Sequence, residues 1–134
     1  MKRSPLDEGR RWFAQAKRDL DDAVYSAQGS RYNLACFLAQ QSAEKALKAF
    51  LFSQGAEEVW GHSLAELCQD AVELNPDFKA LVPIAVPLDK YYIPTRYPNG
   101  LPGGIPADAY TESDAQMALS MSEQVMEFVG RWLA

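Results

Sequence analysis

Apolar residues at Phe13, Ala16, Leu20, Ala23, Val24 and Ala27 recur every three or four positions, a spacing that draws one stripe down an α-helix. The pattern predicts a first helix from Pro5 to Gln28, ended by Gly29. After Gly29-Ser30, a second helix is expected from Arg31 to Gln54, stopping at Gly55. Its apolar set is Leu34, Ala35, Phe37, Leu38, Ala39, Ala43, Ala46, Leu47, Phe50 and Leu51. That set covers more than half the circumference, as in a helix with neighbours on several sides. At about 1.5 Å per residue this central element would be about 36 Å long.

The downstream half carries its own punctuation. Ser63-Leu-Ala-Glu66 is a capping-box pattern, in which the serine oxygen accepts from a free backbone N–H and the glutamate reaches back. It predicts a short third helix from Leu64 to Leu74. Asn75-Pro76 offers an N-cap followed by proline at the first helical position. Pro83 and Pro87 each remove a backbone donor, so the fourth helix should be broken, its second piece carrying Leu88 to Ile93. Residues 94 to 107, with Pro94, Pro98, Pro102, Pro106, Gly100, Gly103 and Gly104, are expected to be loop. The last helix should open near Thr111 or Ser113, with Asp114 or Gln116 as capping partner, and run to the end of the chain. No stretch alternates with period two. The pattern therefore predicts an all-α fold, an up-and-down bundle of four to five helices with the fourth broken by prolines, in one domain spanning residues 1–134.

Composition narrows the class. A chain of 134 residues that is 48% apolar and 23% charged is globular and long enough for a core without metal or disulfide staples. Cys36 and Cys68 lie in helical periodicity and in no C-x-x-C pattern, so they read as buried free thiols, a usage that suits a reducing cytoplasm. No apolar run approaches the roughly 18 residues of a membrane span. Arg10-Arg11-Trp12-Phe13 looks like a twin-arginine export signal, but a polar segment follows where an apolar one is required. A formal net charge of −5 argues against broad, charge-driven binding of nucleic acid. Charge is unevenly placed, however. Residues 1–18 hold six basic and two acidic residues, and residues 107–134 hold five acidic residues and only Arg131. Complementary helix faces, within the fold or across a dimer, are the simplest consequence.

Candidate chemistry is sparse. His62 is the only histidine, which excludes a His-rich zinc cluster and a two-His iron site and leaves one imidazole base. Its place before Ser63 also fits a hydrogen-bonding residue at a helix start. On the second helix, Gln41, Glu44, Lys45 and Lys48 share a polar face. That face is either a solvated ion-pair stripe or a place where Lys45 or Lys48 helps hold a phosphate beside Arg96. Asp19 sits at the edge of the buried stripe, where an unpaired charge is costly, so Arg96 or Lys45 should partner it. The segment "LDKYYIPTRYPNGLPGG", residues 88–104, combines Tyr91, Tyr92 and Tyr97 with Arg96 between prolines that stiffen the backbone. Aromatic faces and an arginine suit stacking of a base and contact with a phosphate. Equally, the tyrosines can be core residues and Arg96 a tie for the loop.

"AKRDLDDA", "FLAQQSAEKALKAFL", "HSLAEL", "LDKYYIPTRYPN" and "YTESDAQMALSMSEQVMEFV", in this order from about Ala14 to Phe128, resemble the HEPN family of small helical domains. The resemblance implies a bundle of four or five helices that commonly forms a two-fold homodimer. It also implies a possible separately encoded minimal nucleotidyltransferase as partner, in a toxin–antitoxin or substrate-binding pair. Many members are metal-independent ribonucleases, using an Arg followed four to six residues later by a His. Here positions 100–102 read Gly-Leu-Pro after Arg96, and no histidine follows His62. The expectation is a non-catalytic nucleotide- or nucleic-acid-binding domain without metal or cofactor. Its ligand residues would be Arg96, Tyr97, Tyr91, Tyr92, Lys45, Lys48 and His62. A ribonuclease with His62 as displaced base and a pure protein-interaction scaffold are the alternatives. For the dimer, the Arg10, Arg11, Lys17 and Arg18 side is expected to face Glu123 or Glu127 of the same chain or of the partner copy.

Overall fold

The structure, a computed structural model, describes residues 3–134; Lys2 of the basic N-terminal set lies outside them. Six α-helices run along the described residues: α1 (Pro5–Gln28), α2 (Tyr32–Ser53), α3 (Leu64–Leu74), α4 (Val82–Ala85), α5 (Pro106–Ala109) and α6 (Glu112–Gly130). Three 3₁₀ segments, Pro76–Leu81, Val86–Tyr91 and Pro98–Gly100, complete the described secondary structure, which contains no strand. No helix among the described residues is long and apolar enough to cross a membrane.

The α1–α2 pair forms the most extensive interface, and small residues make it close. Ala16 and Ala23 on α1, and Ala35, Ala39, Ala43, Ala46 and Ala49 on α2, are fully buried. Ser42 Oγ donates to the Ala16 carbonyl across the seam at 2.8 Å. Gly9 belongs to the same seam, since a Cβ there would lie 2.7 Å from the Ala49 carbonyl oxygen. On its other sides α2 packs against α3, α5 and α6, as its wide apolar face requires. Phe78 closes the core between Phe50 and Phe128, with ring centroids 4.2 and 4.9 Å away.

Several sequence expectations need correction. Arg31 and Gln54 are caps of α2 rather than members. The turn after α1 places its left-handed residue at Ser30 (φ 60°), while Gly29 keeps a negative φ. The loop 94–107 contains a 3₁₀ turn and the start of α5, because Pro98 and Pro106 each sit at a first helical position. The last helix ends at Gly130, and Leu133 is nevertheless buried in the turn beyond it. Its start is as expected, with a reciprocal capping box between Thr111 and Asp114. Within the chain, Arg11 and Arg18 pair with Glu8 and Asp22 of α1 itself, and Arg10 donates to the Leu133 carbonyl. Among the described residues none of these cations reaches Glu123 or Glu127.

Candidate functional site

The segment after the last 3₁₀ turn of the broken helix is rigid for identifiable reasons. Thr95 is fully buried, its Oγ1 donating to the Tyr91 carbonyl at 2.5 Å. Asn33 Nδ2 donates to the Thr95 carbonyl at 3.1 Å and ties the loop to the first turn of α2. Gly100 is needed where the chain doubles back, because a Cβ there would lie 2.9 Å from Pro94 Cα.

This frame fixes Arg96. Its Nε donates to the Tyr92 carbonyl at 2.9 Å. The guanidinium carbon lies 4.3 Å from the Phe37 ring centroid, 4.6 Å from Tyr92 and 5.0 Å from Tyr97. A guanidinium is weakly hydrated and stacks well on π-faces, so three rings hold it without neutralising it. No carboxylate among the described residues pairs with it. Its terminal N–H groups are thus oriented, charged and without a protein acceptor in the described residues.

Tyr92 also carries His62, stacked at 4.7 Å between centroids with an interplanar angle of 18°. The two distances to one ring, 4.7 and 4.6 Å, bound the separation of imidazole centre and guanidinium carbon at 9.3 Å. His62 Nδ1 lies 3.1 Å from Glu44 Oε1. Glu44, only 3% exposed, receives Lys48 Nζ on Oε2 at 3.2 Å and Gln41 Nε2 on Oε1 at 3.3 Å. Gln40, fully buried, donates to the His62 carbonyl at 3.0 Å. Asp89 anchors the next residues, accepting from Ser63 Oγ at 2.9 Å and from the backbone N–H groups of Leu64 and Ala65 at 2.5 and 3.1 Å.

The sequence-nominated residues divide into those that assemble and those that do not. Arg96, Tyr92, Tyr97 and His62 cluster. Tyr91 points into the core against Tyr110, its hydroxyl pushed above the ordinary tyrosine range by burial. Lys48 is 7% exposed and belongs to the buried pair with Glu44, not to a solvated face. Lys45 pairs with Asp19 at 2.5 Å, and Gln15 donates to the same carboxylate at 2.9 Å. Of the two partners expected for Asp19, Lys45 is therefore the one present. Lys45 also lines, with Arg11, Trp12 and Gln15, a depression of about 290 Å³. In the α3 capping pattern Ser63 Oγ accepts from the Glu66 N–H at 3.3 Å, and the carboxylate that joins it at the helix start is Asp89, which receives Ser63 Oγ and the Leu64 and Ala65 N–H groups, rather than Glu66. Asp89, Gln40 and Phe37 were not legible as site residues, because their partners are distant in sequence.

Residues 10–132 match the HEPN domain family. The chain belongs to the HEPN family. Among solved structures, this HEPN chain is similar to TT1696 from Thermus thermophilus, at 41% identity and TM-score 0.83, covering 92% of this chain and 97% of that one. It is similar to ST0689, an archaeal HEPN homologue, at 38% identity and TM-score 0.78 over 100% of both chains. An HEPN domain protein from Thermotoga maritima is 29% identical, with a TM-score of 0.65, over 92% of this chain and 97% of that one. No curated protein matches the chain.

Proposed function

We propose that this HEPN domain is a non-catalytic binding module for a nucleotide or single-stranded nucleic acid, and that it works as a homodimer with a separately encoded nucleotidyltransferase. One observation carries the ligand half: Arg96 is an oriented guanidinium on three aromatic rings, with no protein anion opposite it among the described residues. A phosphate supplies the missing acceptor, and half-exposed Tyr97 offers a face for a base. The resemblance to HEPN members encoded beside a nucleotidyltransferase motivates the partner half. Calorimetric titration with nucleoside mono- and triphosphates tests the ligand half. Heat that disappears in Arg96→Ala is the expected result, and no heat with any nucleotide removes it.

A second reading, a ribonuclease with His62 as base, is favoured by the Glu44–His62 hydrogen bond and by the 9.3 Å bound on the distance to Arg96. Cleavage of an RNA oligonucleotide that is lost in His62→Ala would support it. Intact RNA after prolonged incubation with the wild type removes it.

A further inference from the structure

His62 is held more firmly than a helix-start residue requires. Its side chain is 54% exposed on the connection between α2 and α3, yet two buried side chains of α2 fix it. Gln40 holds its carbonyl and Glu44 holds its ring. The start of α3 does not use the imidazole: Ser63 and Asp89 receive the free N–H groups of Leu64, Ala65 and Glu66. Nor does stability alone account for Glu44, since a buried ion pair such as Glu44–Lys48 often adds little over apolar packing.

The chemistry of the contact sets the imidazole's state. Glu44, paired with Lys48, is a carboxylate and can only accept. His62 must therefore donate through Nδ1–H, the tautomer whose lone pair is on Nε2. A ring with Nδ1 engaged and one face on Tyr92 presents an oriented acceptor, on the same tyrosine that carries Arg96.

We infer that the Glu44–His62 dyad is the specificity-determining element of the Arg96 site: Nε2 accepts a hydrogen bond from a sugar hydroxyl of the ligand whose phosphate Arg96 holds, so the site selects ribonucleotides over deoxyribonucleotides. Glu44 is the positioning residue and His62 the contact. The inference rests on the reading of Arg96 as a phosphate site. It requires no bond to break and holds for a nucleoside monophosphate that has no cleavable diester.

The experiment compares adenosine 5′-monophosphate with its 2′-deoxy and 3′-deoxy forms by calorimetry on wild type, Arg96→Ala and His62→Phe, the last keeping an aromatic face toward Tyr92. The wild type should bind one deoxy form about threefold to tenfold more weakly than the ribonucleotide, the value of one hydrogen bond. His62→Phe should erase that preference. Nitrogen-15 spectra of the imidazole should show the Nδ1–H tautomer at neutral pH without ligand. Equal binding of all three forms by the wild type, a preference that survives His62→Phe, or an Nε2–H tautomer overturns the inference. Loss of Arg96 dependence overturns the phosphate site as well; intact Arg96 dependence without ribose preference overturns this inference alone.

Discussion

Cys36 and Cys68 illustrate what a single residue's surroundings do to its chemistry. Burial, with the Asp114 charge adding to it, pushes the Cys36 thiol up to about 12 from 9.0. Burial and then Asp89 raise the Cys68 thiol to about 11. The thiolate is the reactive form, so both should resist iodoacetamide at pH 8 in the folded protein and react on addition of denaturant; mass spectrometry reads the difference. The same shifts link stability to pH. Above 9 the unfolded chain binds fewer protons than the folded one, so this contribution is complete below pH 9 and declines as pH rises toward 11 to 12. Denaturant melts at pH 8 and pH 10 should show the drop. Glu44 is the other residue whose setting decides its effect. Glu44→Ala would leave Lys48 buried without its partner, at a cost of about 3 kcal/mol. A loss below about 1 kcal/mol in urea unfolding would mean that Lys48 finds water instead.

At the scale of elements, one close approach and one cap organise the molecule. Gly9 lets the start of α1 lie against the end of α2, where Ala49 O and Ser53 Cβ stand 2.7 and 2.8 Å from the position of an added Cβ. Alanine normally favours a helix, but here it should destabilise by about 1 to 3 kcal/mol because two backbones must separate. A thermal midpoint equal to or above that of the wild type would show that the seam gives way freely. Asp89, on the 3₁₀ turn Val86–Tyr91, caps α3 while standing three residues before Tyr92. One carboxylate therefore sets the position of the His62 connection and of the aromatic platform together. Sequence periodicity placed α1, α2, α3 and α6 within a residue or two at most ends, because each carries a long apolar stripe and a recognisable cap. The short turns at Pro98 and Pro106 escaped because glycine and proline signal an interruption without saying what fills it.

For the molecule as a whole, fold was far more legible than site. Apolar spacing alone fixes which helix is central, and α2 is central here. The site depends instead on pairings that span long separations, such as Arg96 with Phe37, His62 with Glu44 and Asp89 with Ser63, and spacing along the chain carries no signal of them. The lysines misled for a related reason: Glu44 and Lys48 look like a solvated i,i+4 pair, and only the packing of neighbouring elements buries them. Assembly also belongs to this scale. Much of the aromatic area near the chain ends is used internally, with Trp12 stacked on Phe52 at 5.1 Å and Trp132 6.1 Å from Phe78. Tyr25 and Trp60 remain 78% and 81% exposed, and a two-fold homodimer is expected to cover part of that surface. Light scattering at micromolar concentration should give twice the mass of the 14.9 kDa chain; a monomer mass would contradict it.

The central claim is that Arg96 is an anion-binding group prepared by its three aromatic neighbours. Calorimetry of wild type, Arg96→Ala and Arg96→Lys with one nucleoside monophosphate tests it most directly. The wild type should bind, and alanine should weaken binding by about tenfold to a hundredfold, the value of a charge-assisted contact. Lysine, which lacks the planar fork and stacks poorly on Phe37 and Tyr92, should recover little of that loss. Binding unchanged in Arg96→Ala, or no binding by the wild type at all, would contradict the account.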